Sequence, residues 1–188
     1  MRILLALSRA IDWLSERCGR LASRCVLASV LISAGNALVR WGLNASSNGW
    51  LEIQWYLFSA VFLLCASYAL QRNEHVRIDV LTGRLSPRAR AWIDLLGGLF
   101  FLQPMAIIIA WLSWHYFVDS YVRQEHSGNA GGLIRWPVKL LMPVGFALLA
   151  LQGVSEVIKR IAFLRGLIPD PAGPRRDART QPADGEPA

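Results

Sequence analysis

Long apolar runs alternate with short polar stretches along this chain. Four runs predict membrane spans at about 22–43, 50–70, 91–118 and 137–161. A helix needs roughly 20 mostly apolar residues to cross about 30 Å of hydrocarbon. The third run reaches that length without a charge between Leu95 and Trp114, whereas the first and fourth have shorter uncharged centres. The pattern therefore predicts an all-α integral membrane protein with four transmembrane helices in a domain over 22–165.

The first 21 residues show helical rather than continuous hydrophobicity. Apolar side chains recur at spacings of three and four, and charges fall between them. The apolar positions are Ile3, Leu7, Ile11, Leu14, Cys18 and Leu21. This spacing predicts an amphipathic helix over 1–21 that lies on the membrane surface before the first span.

The stretch between the second and third spans predicts two local features. Its apolar residues from Val76 to Leu85 suit a short membrane-surface helix that ends near Gly83. Ser86 followed by Pro87 then suits the start of the third helix, as an N-cap before a proline in the first helical turn. That helix is expected to run to about Asp119, with a kink at Pro104. The proline-rich residues 166–188 predict a disordered tail.

The placement of charge indicates a membrane topology. The chain is 54% hydrophobic and 18% charged, against roughly 25% charged residues in soluble domains. Its net charge of +7 comes from basic clusters that bracket the apolar runs near both termini and in the middle loop. Basic loops stay in the cytoplasm, so both termini are expected inside. The same bracketing argues against nucleic-acid binding, which would place the basic residues on one face.

The sequence contains no recognisable enzymatic motif. It has no phosphate-binding loop, nucleophile elbow or zinc motif. The three cysteines lack metal-ligand spacing. His75 is expected on the cytoplasmic side, and His115 and His126 at the outer side, where no third ligand is evident, so neither a metal nor a cofactor is predicted. A membrane anchor for a redox complex remains an alternative that a haem absorbance band would support.

Polar residues within the spans leave further alternatives open. Glu52 near the start of span two is either the ion or proton site of a stand-alone small transporter, or part of an interhelix or intersubunit pair within reach of Arg40. Gln103 and Gln152 suit helix packing. Two local ion pairs are also expected at helix ends, Arg90 with Asp94 and Glu156 with the following Lys159 and Arg160.

The order of several motifs resembles a known family. "EIQWYLF" opens span two, "HVRIDVLTGRLSPRARAWIDLLG" follows it at 75–97, and "EHSGNAGGLIRW" precedes "LMPVGFALLALQGVSEVIKR". Together they are similar to the small, DctQ-type membrane subunit of tripartite ATP-independent periplasmic (TRAP) transporters, over roughly 22–165. Ile134 departs from the resemblance, since a proline would be expected there.

The resemblance implies a supporting role in the bacterial inner membrane. Such a subunit would act as a scaffold for a large multi-span permease subunit and help to dock a periplasmic substrate-binding protein, within a sodium-coupled system that imports an organic acid. The middle-loop arginines would also meet lipid phosphates or partner carboxylates. The expected partner contacts are Glu52, His75, Arg77, Asp79, Arg84, Glu125, Gly132 and Arg135.

Overall fold

The computed structural model describes residues 1–44, 47–73 and 85–169, and they fold into five α-helices and one π-helical turn. The α-helices are α1 (Arg2–Leu43), α2 (Asn48–Arg72), α3 (Pro87–Gly97), α4 (Gln103–Val122) and α5 (Trp136–Leu164). The π-helical turn, Gly98–Leu102, joins α3 to α4. The surface helix predicted before Ser86 and most of the predicted disordered tail lie outside the described residues.

Within the described residues, four helical segments are long and apolar enough to cross a membrane. They are α1, α2, the rod Pro87–Val122 formed by α3, the π-helical turn and α4, and α5. This result confirms the all-helical fold and is consistent with the four predicted spans. The observed helices extend beyond most of the predicted span limits, because each continues into the polar residues that flank its apolar centre.

The first helix is longer than the sequence pattern predicted. α1 is continuous over 42 residues, which corresponds to about 63 Å at 1.5 Å per residue. The expected division between a surface helix at 1–21 and a span at 22–43 therefore does not coincide with a break in the helix. Its buried side is Ser8, Ile11, Ser15 and Ala22, whereas Ile3 and Leu7 of the predicted apolar face are exposed.

The third span contains a π-helical turn just before Pro104, the position at which the sequence predicts a kink. Ser86 caps α3 by accepting a hydrogen bond from the Ala89 backbone N–H at 3.3 Å, as expected. Proline cannot donate to the carbonyl four residues earlier and its ring clashes there. The preceding turn is accordingly π-helical, and the Gln103 N–H donates to the Gly98 carbonyl five residues back. A π-helical turn is a recognised way to accommodate such a break.

α5 is the central helix of the bundle. It packs against all the other α-helices, while α1 and α2 pack on each other and on one side of α5, and α3 and α4 pack elsewhere along it. Two glycines allow close approach. A Cβ on Gly145 would lie 2.8 Å from the Leu63 Cβ, and one on Gly153 would lie 2.7 Å from the Gln103 side-chain nitrogen.

The bundle is open, with most of its apolar surface facing outward. In the most apolar 18-residue stretch of α1 only 6% is buried, whereas 39% of the corresponding stretch of α5 is buried. Different elements lie at the two ends of the bundle. The hairpin end holds the end of α1, the start of α2 and the loop 123–135, and the terminal end holds the start of α1, the end of α2, α3 and the end of α5.

Candidate functional site

Glu52 lies at the hairpin end, where α2 meets the loop 123–135. Its carboxylate accepts hydrogen bonds from the Ser127 hydroxyl, from the Asn129 side-chain amide at 2.9 Å and from the Leu133 backbone N–H at 2.7 Å. The residue is only 4% exposed. We call Glu52 with the loop 123–135 the loop clasp. The carboxylate is a fixed acceptor that pins the loop to α2.

The loop is held in a hairpin-like shape by its own backbone. The Ser127 N–H donates to the Leu133 carbonyl at 2.9 Å, and the Arg135 N–H donates to the Glu125 carbonyl at 2.8 Å. Gly131 adopts a left-handed φ of 72°, which favours glycine. A Cβ on Gly132 would lie 2.4 Å from that of Ser127. The two glycines therefore allow the tight return that brings the Leu133 N–H to Glu52.

Two further residues of α2 hold the same loop. The Asn48 side-chain amide donates to the Ala130 carbonyl at 3.1 Å. One helical turn beyond Glu52, the Tyr56 hydroxyl donates to the Ile134 carbonyl at 3.0 Å. Both bonds use backbone carbonyls of the loop, so they depend on the loop's path rather than on its side chains.

A second acidic residue anchors the loop to α5. Glu125 pairs with Lys139 and lies 3.6 Å from the Arg135 guanidinium. The Lys139 ammonium also lies 3.8 Å from the centre of the Tyr116 ring, a cation–π arrangement. The pKa of the Glu125 carboxyl is held below its ordinary value, chiefly because Lys139 donates a hydrogen bond to it.

The lowered pKa of Glu125 predicts a pH dependence of stability. Its ion pair contributes fully above the ordinary glutamate pKa of about 4.3, and the contribution is lost as pH falls through the lowered pKa. The melting temperature of the purified protein should exceed that of Glu125→Gln by a constant margin above about pH 6, and the margin should shrink below about pH 4. A margin that widens on acidification would contradict this assignment.

The structure brings four of the eight expected contact residues together. Glu52, Glu125, Gly132 and Arg135 all belong to the loop clasp or its anchor on α5. The other four, His75, Arg77, Asp79 and Arg84, lie outside the described residues. Within this chain the donors to Glu52 come from the loop and not from Arg40 or another helix, whereas the alternative of an intersubunit pair stays a prediction.

A network at the terminal end, which the sequence did not predict, joins α1 to α5. Asp12 accepts hydrogen bonds from the Gln152 amide at 2.8 Å, the Ser155 hydroxyl at 2.9 Å and the Lys159 ammonium at 3.2 Å. Two serines of α1 complete it, with Ser15 donating to Gln152 at 2.8 Å and Ser8 lying 2.7 Å from Ser155. We call these six residues the polar lock.

The sequence did contain a signal for the polar lock. Ser8, Asp12 and Ser15 recur at spacings of four and three, which places them on one face of α1. The residues of α5 follow the same rule, since Gln152, Ser155 and Lys159 recur at three and four. Two matching polar stripes on separate helices would have indicated that these faces meet.

Ion pairs link the remaining helices at the terminal end. Arg72 of α2 lies 3.7 Å from Glu16 of α1, and Arg160 of α5 lies 3.2 Å from Asp94 of α3. The expected local pair of Glu156 with Lys159 is confirmed. Asp94, for which a local pair with Arg90 was predicted, reaches across to Arg160 of α5. These ion pairs connect α1 to α2 and α3 to α5 at the terminal end.

The described residues offer no group of three or more His, Cys, Asp or Glu that could hold a metal ion. The His115 ring nitrogen lies 3.1 Å from the Trp111 carbonyl, and that of His126 lies 2.7 Å from the Gln124 carbonyl. Within the loop clasp, and likewise within the polar lock, the polar groups bond mainly to one another. Their arrangement suits holding helices and a loop in place.

Comparison with known proteins finds a matching family and one relative. The family model for the DctQ component of tripartite ATP-independent periplasmic transporters matches residues 29–163. A putative TRAP transporter small permease protein of Haemophilus influenzae is 28% identical over 97 residues, which cover 50% of this chain and 60% of that protein. The chain thus spans less than two thirds of that relative's length. No solved structure matches the chain.

Proposed function

Because the chain belongs to the DctQ family, the small membrane components of tripartite ATP-independent periplasmic transporters, we propose that it is a scaffold for a large permease subunit. The family places it in the inner membrane as a multi-pass transporter component and not as an enzyme. The proposed complex is a sodium-coupled secondary transporter that takes an organic acid from a periplasmic binding protein.

The proposed orientation follows from the basic residues. Residues 1–24 carry five arginines, and the tail from Lys159 carries six basic residues, whereas the loop 123–135 carries two. Basic segments favour the cytoplasmic side. The terminal end with its polar lock would then be cytoplasmic, and the loop clasp would face the periplasm, where it could meet the binding protein.

The single observation that best supports the scaffold role is an open bundle whose helices are bonded to one another at both ends. α5 is the most buried of the four spans, at 39% of its most apolar stretch. α1 and α4 direct large apolar side chains outward, among them Leu27, Leu31, Ile107 and Trp111. Such surface suits lipid or the helices of a partner. Meanwhile the loop clasp and the polar lock fix the helices at both ends, so the bundle suits a static support.

Glu52 supports a structural role over the rival of a stand-alone transporter. An ion-coupling carboxylate must exchange partners during a transport cycle, whereas Glu52 is buried and holds three donors from one loop. In Glu52→Gln, the negative charge and one of the two acceptor oxygens are lost, so the three donors of the loop share a single oxygen, which weakens the clasp. We expect uptake to fall only in proportion to the loss of assembled complex, with its sodium dependence unchanged.

The matched control for Glu52→Gln is Asp119→Asn, which removes an exposed carboxylate near the same end, paired with Arg123 four residues on. It should leave assembly and uptake near wild type, because exposed pairs contribute little. Normal assembly together with lost uptake in Glu52→Gln would favour the stand-alone transporter instead.

Co-purification tests the proposed function. An affinity-tagged copy of this chain, extracted from its native membrane in mild detergent, should retain a multi-span permease subunit at a fixed ratio. Purification of the chain alone under conditions that preserve other membrane complexes would count against the scaffold. A haem absorbance band in the purified material would point to the redox-anchor alternative.

A further inference from the structure

A cavity opens at the terminal end, between the start of α1 and the end of α5. Its volume is about 420 Å³, and its wall includes three basic side chains, Arg2, Arg9 and Lys159, with Leu5 and Ile168 as apolar neighbours. The cavity lies beside the polar lock, which contributes Ser8 and Asp12 to its wall. The cavity therefore lies between two helices, α1 and α5, that the polar lock holds together.

The excess positive charge of the cavity comes from its two arginines. Lys159 is already paired, since both oxygens of Asp12 lie 3.2 Å from its ammonium and Glu156 also accepts from it. Arg2 and Arg9 are exposed, and neither forms an ion pair with any residue in 1–44, 47–73 or 85–169. Two guanidinium groups seven residues apart on one helix face suit a phosphate, which accepts several N–H bonds at once.

Apolar surface borders the same cavity. Leu5 and Ile168 form part of its wall, and Leu167, next to Ile168, is 55% exposed. A free phosphate would leave these side chains in water. A phospholipid would place its headgroup on the arginines and its acyl chains along the leucines and isoleucines.

We propose that this cavity binds the headgroup phosphate of an anionic phospholipid at one surface of the membrane. Basic pockets between membrane helices bind such headgroups. The lipid would attach the long α1 helix to the bilayer surface beside the polar lock. The inference needs only that the chain spans a membrane, so its failure would leave the proposed scaffold role standing, and failure of the scaffold role would leave it intact.

The test compares two double variants of the full chain in a neutral detergent. Arg2→Gln with Arg9→Gln removes the cavity arginines. Arg17→Gln with Arg20→Gln removes two charges from the same helix outside the cavity wall, and is the matched control. Each protein is titrated with phosphatidylglycerol, with phosphatidylcholine and with inorganic phosphate while its melting temperature is recorded.

Phosphatidylglycerol should raise the melting temperature of wild type and of the control by about 3 °C or more at saturation. It should have little effect on the Arg2/Arg9 variant, and phosphatidylcholine should have little effect on any of the three. An equal rise in the Arg2/Arg9 variant would overturn the site. An equal rise with inorganic phosphate alone would overturn the assignment to a lipid.

Discussion

Replacing Gly145 with leucine should force α2 away from α5 and prevent assembly of the bundle. Any Cβ at this position would lie 2.8 Å from the Leu63 Cβ and 3.0 Å from the Leu63 carbonyl oxygen. The second contact is with backbone, so a change of rotamer cannot relieve it. Overpacking of this kind costs about 3 kcal/mol or more when the backbone must move. Since α5 contacts all the other helices, the displacement would reach the whole bundle.

Gly42→Leu provides the matched control for Gly145→Leu. A Cβ on Gly42 would meet no other atom within 4 Å, and the residue lies near the end of α1. Both variants would be expressed, purified in mild detergent and compared by their yield of folded protein and their free energy of unfolding. Equal stability of the two variants would show that the close approach of α2 to α5 is not required.

Replacing Asp12 with alanine should release the first half of α1 from α5. Three donors, on Gln152, Ser155 and Lys159, would lose their shared acceptor. Removal of one partner of a buried pair costs roughly 3–5 kcal/mol. Because the Asp12 and Lys159 side chains are 24% and 17% exposed, water can partly replace the lost bonds, so we expect about 2 kcal/mol.

A double-mutant cycle separates the ion pair from general disruption. Asp12→Ala combined with Lys159→Ala should cost less than the sum of the single changes, because each single change already removes the Asp12–Lys159 pair. The control is Glu16→Ala, one turn further along α1, whose partner Arg72 is 3.7 Å away and whose side chain is 47% exposed. It should cost at most about 0.5 kcal/mol. Equal losses for Asp12 and Glu16 would contradict the polar lock.

The spans were predictable because membrane insertion depends on the length and polarity of whole segments. The N-cap at Ser86 was predictable for a related reason, since it depends on local backbone chemistry, and the same chemistry indicated where the third span would depart from a regular α-helix, though not that the departure is a π-helical turn. None of these features requires knowledge of a neighbouring helix. They follow from a residue and the few residues beside it.

Hydrophobic periodicity did not predict the polar lock, because in a protein surrounded by water the apolar face of a helix is the buried one. In a membrane protein the apolar face of a helix can meet lipid, while its polar residues pack on the next helix. On α1 the exposed face includes Ile3 and Leu7, and the buried face includes Ser8 and Ser15. Contacts with α5 also stabilise the first half of α1, so the helix is continuous over Arg2–Leu43.

The loop clasp was partly predictable. The resemblance selected Glu52, Glu125, Gly132 and Arg135, and these residues meet at one end of the bundle. Their roles depend on a contact between residues that are about 80 positions apart in sequence, as in the bond from the Leu133 N–H to Glu52. Residue spacing alone does not specify such a contact.

Substrate uptake by cells with and without this chain tests the scaffold claim most directly. The large permease subunit and the binding protein would be expressed at constant levels while the gene for this chain is deleted and then restored. The scaffold account predicts that uptake is lost on deletion and recovered on restoration, while the purified binding protein binds its ligand throughout. Uptake that persists at the normal rate without the chain would contradict the account.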